Sequence, residues 1–291
     1  MRKILTTLIV CFYILPTFAY TVDITTLGAK GDGITDNTTF IQKAIDDCSA
    51  RKGGTVEIPS GHFLTRTLFL KSNVNLHLHF GAELLGSTDL DSYHKVFPEL
   101  KGKESPALIF ARGVTNIAIT GSGTINGQGA HQNFQHGNDS KGGPRRPKII
   151  YFIGCNNVRV QDVTLRNSAY WTQDYEKCDG VIVRGVKVYS HANWNNDGLD
   201  IDSRNVVVSD CYIDCDDDAL CLKSDTDTPC ENVTVTNCVL KSNCNAIKFG
   251  TSSYSGFKNV TISNCTIDRA SEDHIRQWYK NYPWIGTKHK T

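Results

Sequence analysis

Valine and isoleucine alternate with polar residues in a slot, V-x-[VI]-x-x-[CV]-x-[ILV], that recurs five times, beginning at Val158, Val181, Val206, Val233 and Val260. Successive copies start 23, 25, 27 and 27 residues apart, a period that belongs to stacked repeats. Within each half of the slot the apolar positions alternate, as in Val206, Val208 and then Cys211, Ile213. That is the period-two pattern of strands with one buried face. Helical spacing is absent there, so the pattern predicts a right-handed parallel β-helix, each copy one coil that needs only its neighbours to complete a core.

The same reading organises the rest of the chain. Ile41, Ala44 and Ile45 give Thr38–Cys48 a helical apolar face, with Asp36 or Asn37 as its cap. A helix there would plug the open end of the stack, which otherwise exposes apolar core and unpaired strand edges. Strands are predicted at Thr55–Ile58, Phe63–Leu70 and Val74–Phe80, a weaker coil at Asn116–Gly129, and a polar, Gly-rich loop at His131–Pro147. The first 19 residues carry Arg2 and Lys3, an apolar run and a small Ala19, and are expected to be a cleaved signal peptide leaving a single domain at 20–291. The run is shorter than the about 20 residues that span a bilayer. The product is therefore expected to be secreted or periplasmic, monomeric, and off the membrane once the signal is gone.

Without Arg2 and Lys3 the chain has 29 basic against 30 acidic residues, which argues against a nucleic-acid partner. Ten cysteines remain after Cys11. An even count in an exported chain invites disulfides, but Cys211, Cys238 and Cys265 occupy the slot filled by Val163 and Val186 in earlier coils. Those three are expected to pack as small core residues. There is no CxxC spacing and no His-rich run, so no zinc site is expected. Of five N-x-S/T sequons, those at Asn232 and Asn259 are 27 apart and read as repeating turn residues rather than glycosylation sites.

Used as a ruler, the repeat aligns four strand starts: Trp171, Asp197, Asp218 and Asn245 should form a column about 4.8 Å from one member to the next, with Asp217 beside Asp218. An aromatic next to crowded carboxylates suits sugar hydrolysis, in which one protonated acid releases the leaving oxygen and ionised partners activate water. Asn193, Asn195 and Asn196 could bond sugar hydroxyls, Lys223 and Lys248 could pair with uronate carboxylates from equivalent strand positions, and Trp171 could stack on a ring. From the residues alone, a solvated turn or a calcium loop remains open.

At these positions the sequence resembles glycoside hydrolase family 28, the polygalacturonases and their relatives. NNDGLD at Asn195–Asp200 resembles that family's N-T-D-G motif, and DDDALCLKS at Asp216–Ser224 its G-D-D-C-x-A-I-K-S motif. LGAKGDGITDNTTFIQKAID, GSGTINGQG and NSAYW match further segments, so the likeness runs from Leu27 to Asp268. The resemblance implies an inverting hydrolase of pectic polysaccharide without a cofactor, with Asp217 as general acid and Asp197 and Asp218 holding and deprotonating water. Two features depart from the family. Its G-H-G motif falls at Cys244-Asn245-Ala246, which puts Asn245 in place of histidine. Its R-I-K motif has no counterpart unless Arg276 or Lys280 substitutes. After Asp268 the alternation stops, and a truncated or irregular tail is expected. The alternatives are a non-catalytic carbohydrate-binding β-helix, a truncated inactive homologue, and a calcium-dependent pectate lyase.

Overall fold

The structure, a computed structural model, describes residues 20–97, 105–134 and 146–271. The expected signal peptide, most of the Gly-rich loop, and Arg276 and Lys280 in the tail lie outside the described residues. The chain winds as a right-handed parallel β-helix, because parallel neighbours joined by short crossovers take that hand. Three faces recur in each coil. One runs through Gly54–Ile58, Val74–Leu78, Thr115–Gly121 and Asn156–Gln161 to Cys230–Thr236 and Phe257–Ser263. The second runs through Gly61–Thr65, Ala82–Gly86, Thr164–Arg166 and Lys187–Ser190 to Tyr212–Cys215, Val239–Ser242 and Thr266–Asp268. The third is built by Ala107–Arg112, Lys148–Ile153, Leu220–Ser224 and Ile247–Ser253. Two long strands, Gln173–Arg184 and Leu199–Ser209, bend from the third face into the first.

The five slot valines stack in direct register, Val158 on Val181, Val181 on Val206, Val206 on Val233 and Val233 on Val260. Val206 and Val208 are buried, whereas the intervening Val207 is 43% exposed. At the N-terminal end the helix Thr38–Ala50 buries Ile41, Ala44, Ile45 and Cys48 against the first coils. Burying each isoleucine is worth about 1.5–3 kcal/mol. The two proposed caps divide the work: Asp36 Oδ1 accepts from the Thr38 N–H at 3.0 Å, while Asn37 ties the preceding loop through Lys30 and Thr35. The predicted strand Phe63–Leu70 is interrupted, forming Gly61–Thr65 and Leu68–Phe69 at a corner between faces. A short helix, Leu90–Val96, carries no repeat signal and was not anticipated.

Corners use the left-handed backbone region. Asn157, Gly180, Asn205, Asn232 and Asn259 all have φ between 52° and 73°, spaced by the same 23, 25, 27 and 27 residues as the slot. Asparagine tolerates this region because its short amide bonds locally. Here the amides also bond between coils, Asn232 Nδ2 to Asn205 Oδ1 at 3.0 Å and Asn259 Nδ2 to Asn232 Oδ1 at 2.9 Å. These two sequons therefore sit in a turn ladder. Asn232→Val is expected to lower stability by about 1–2 kcal/mol, the cost of a β-branched residue in that region, measured by urea denaturation. Asn232→Gly should lose less, and equal losses in the two variants would contradict the strain explanation.

The described cysteines are all free thiols. Cys211 and Cys238 are buried in the core, but Cys265 is only partly covered, because it lies in the last described coil.

Candidate active site

The acidic loops emerge where the second face turns into the third. Strand register carries the column expected from the repeat. Leu199 pairs with Leu220 and Leu220 with Ile247, which aligns Asp197, Asp218 and Asn245 two residues earlier. Ladder bonds continue through the site, Thr172 N to Asp197 O at 2.7 Å, Gly198 N to Asp218 O at 2.8 Å and Ala219 N to Asn245 O at 2.9 Å. Trp171 thus precedes Asp197 in the column. Carboxylate oxygens of Asp197 and Asp218 lie within 4.8 Å of each other, as do those of Asp217 and Asp218.

The three acids have different surroundings. Asp197 is buried, and its Oδ1 has no hydrogen-bond partner. Burial above all, then the charges of Asp200 and Asp217, push its carboxyl well above the ordinary range, with Lys223 opposing. Asp218 is equally buried but compensated: Lys248 Nζ lies 2.7 Å from Oδ2 and Asn245 Nδ2 donates to Oδ1 at 2.6 Å. Asn245 therefore supplies a donor to this acid. Asp217 is partly exposed; its Oδ1 accepts the Asp218 N–H at 2.9 Å, and Asn195 Nδ2 lies 3.4 Å from Oδ2. Beneath the three, Asp200 is pushed to about 7 by burial despite Lys223.

The asparagines divide by role. Asn193 and Asn196 are buried and shape the loop: Asn196 Oδ1 accepts from Asn193 N at 2.7 Å and its Nδ2 donates to Ser168 O at 2.7 Å, while Asn193 Nδ2 donates to Gly129 O at 2.9 Å. Their amides are committed to protein, which corrects the expectation that they meet sugar hydroxyls. Asn195, at φ 56°, remains partly exposed beside Asp217. The residue that holds this loop was missed from sequence. Arg146 is fully buried, donates to Ala169 O, Asn193 Oδ1 and Trp194 O at 2.6–2.9 Å, and lies 4.3 Å from the Trp194 ring centroid. Its only sequence signal is the basic cluster Arg145-Arg146-Pro147-Lys148 at the end of a polar stretch.

Lys223 and Lys248 do not occupy equivalent strand positions as expected, since the register pairs Lys248 with Cys221. The offset sends Lys248 to Asp218 and Lys223 to Asp200, 3.1 Å away. Lys148 lies one coil before Trp171, two residues ahead of the Ile150–Gln173 pair, and forms a buried ion pair with Asp174 at 2.5 Å. Ammonium groups of Lys148 and Lys223 approach the Trp171 ring centroid to 4.5 and 4.3 Å, and Tyr170 stacks on it at 5.1 Å. A cleft of 310 Å³ opens beside the carboxylates, lined by Trp171, Lys148, Lys223, Asp202 and Tyr254 among others. It flanks the three acids rather than enclosing them.

Residues 48–276 match the family described as Glycosyl hydrolases family 28. A probable polygalacturonase of Vitis vinifera is 32% identical over 225 residues, covering 72% of this chain and 45% of that protein. An exo-poly-alpha-D-galacturonosidase of Dickeya chrysanthemi is 30% identical over 250 residues, covering 68% of this chain and 41% of the relative. The chain thus spans less than half the length of either. Among solved structures, a hyperthermoactive exopolygalacturonase from Thermotoga maritima superposes with a TM-score of 0.74 at 26% identity, covering 86% of this chain and 68% of that one.

Proposed function

This chain belongs to glycosyl hydrolase family 28, and from that premise we propose that it cleaves a pectic polysaccharide of galacturonan or rhamnogalacturonan type, inverting the anomeric centre. The observation that carries this reading is the register that sets Asp197 beside Asp218, within 4.8 Å, with Asp217 alongside. In this scheme Asp217, the most exposed of the three, protonates the departing glycosidic oxygen. Asp197 and Asp218 hold a water molecule between them and take its proton as it attacks from the opposite side of the ring. Lys248 and Asn245 hold the Asp218 carboxyl in place through contacts of 2.7 and 2.6 Å. Lys223 and Trp171, at the cleft, serve a sugar ring and its carboxylate next to the bond that breaks, with Asn195 near the leaving oxygen.

The donor set favours this chemistry over calcium-assisted elimination. Calcium takes six to eight oxygen ligands, whereas each cluster of donors at the centre combines two aspartates with a thiol, Cys221 or Cys244. The test is reducing-end release from polygalacturonan, rhamnogalacturonan and xylogalacturonan, each with and without chelator. Release insensitive to chelator and without unsaturated product supports hydrolysis. An unsaturated product would instead indicate a lyase, and binding without turnover a carbohydrate-binding β-helix. On the pattern of residues 1–19 we also place the protein outside the cytoplasm, acting there as a monomer.

Asp197 must be ionised to take a proton from water, and its folded-state affinity for protons is raised. Activity is therefore expected to fall off on the acid side well above the ordinary carboxylate range. Lys223 opposes that shift. Lys223→Met should move the acid limb of kcat/KM to still higher pH, because losing a nearby positive charge favours the protonated carboxyl. A pH–rate profile measures this, and an acid limb that stays put or moves down would contradict it.

A further inference from the structure

The outer surface of the first face carries a donor set that the hydrolase reading does not use. Glu57 and His77 are direct register partners on adjacent strands. His77 and His79 point outward around the core residues Leu76 and Leu78. Their rings meet edge to face at 5.1 Å, and His79 Nε2 lies 2.5 Å from Glu57 Oε2. One donor atom from each of the three residues falls within 4.8 Å of the other two.

We propose that Glu57, His77 and His79 bind one zinc ion that ties two neighbouring coils together near the N-terminal end of the stack. Two imidazoles and a carboxylate are zinc's preferred hard–borderline donors, with water completing a tetrahedron. Bonds of about 2.0–2.1 Å put tetrahedral donors about 3.3 Å apart. The three donors, within 4.8 Å of one another, must draw closer by up to about 1.5 Å, and the His79 side chain that would move is 51% exposed and, among the described residues, hydrogen-bonded only to Glu57, itself one of the three. His77 is already oriented for the task. Thr120 Oγ1 donates its only proton to Asn75 Oδ1 at 2.9 Å, so at its 2.8 Å contact with His77 Nδ1 it must accept. The proton on that imidazole is thereby fixed at Nδ1, leaving the Nε2 lone pair for a metal, the outer-sphere arrangement seen around zinc-bound histidines. Two other histidine–carboxylate pairs, His62–Glu83 at 2.7 Å and His191–Asp214 at 2.9 Å, gather no third donor among the described residues.

Because zinc would bind the folded coils and not the unfolded chain, occupancy should appear as stability. The experiment is zinc titration of the untagged, full chain by calorimetry, in parallel with thermal unfolding at rising zinc concentration. One equivalent should bind, and the melting temperature should climb with concentration. His77→Ala and His79→Ala should each weaken binding at least tenfold and abolish the thermal shift. Thr120→Val keeps every ligand and should weaken it by about 10-fold through the lost tautomer control. Cys244→Ser, which breaks a competing donor cluster at the carboxylates, should leave zinc binding unchanged. The proposal is overturned if the chain shows no saturable binding. It is equally overturned if a His77→Ala/His79→Ala double variant binds as the parent does, or if the effect follows Cys244 instead.

Discussion

Asp217→Asn lowers turnover by about 10²–10⁴-fold on whichever pectic backbone the protein cleaves, the usual range for a lost general acid. Asparagine keeps the shape of the side chain and its reach to the Asp218 N–H, so the fold should be untouched, and urea denaturation would verify that. The distinguishing measurement uses a substrate with an acidic phenol as leaving group, which departs without protonation. On it the variant should recover most of its rate, whereas Asp197→Asn should not, because water activation is still required. Full turnover on polysaccharide by Asp217→Asn would remove the assigned role. Loss on both substrates would make Asp217 something other than the acid.

Lys148→Met should destabilise the chain by about 3–5 kcal/mol, the penalty for stranding one partner of a buried ion pair. The lysine and Asp174 side chains are 1% and 6% exposed and 2.5 Å apart. Its ammonium also lies 3.8 Å from the Tyr151 ring centroid, a contact worth about 0.5–2 kcal/mol more. Removing both charges, as in Lys148→Met with Asp174→Leu, should recover much of the loss, since hydrophobic replacement of a whole pair is often nearly neutral. Equilibrium unfolding of the single and double variants measures this. A single-variant loss below about 1 kcal/mol would be the value for a solvated surface pair and would contradict the burial argument. Because Lys148 also faces Trp171, the double variant separates stability from any effect on substrate.

Much of the site was legible before any coordinates. Neighbouring coils stack in register, and the valine slot marks where one face of each coil begins. The alternating strand that follows each of Trp171, Asp197, Asp218 and Asn245 was enough to bring them into one column, although Asp197 and Asp218 are only 21 residues apart where the valine slot steps by 27. Asp36, Asn37 and the apolar face Ile41–Ala44–Ile45 likewise announced the helix, because capping and helical periodicity act over a few residues. Lys223 and Lys248 lie five and three residues past Asp218 and Asn245, so the same 27-residue step that sets Leu220 on Ile247 sets Lys248 on Cys221, two residues out of step with Lys223.

What the sequence settled alone is therefore the coil, its period and the face on which the acids sit, since each depends on local alternation and spacing. Only the folded molecule decided how each group is held: Arg146 reaching from a polar loop to lock Asn193, Lys248 choosing Asp218 and Lys223 choosing Asp200, and Asp197 buried without a donor. It also brought Glu57 beside His77 and His79, from residues 20 or more positions apart. Those outcomes turn on side-chain direction, desolvation and contacts between coils, quantities that arise only when one turn of chain is laid against the next.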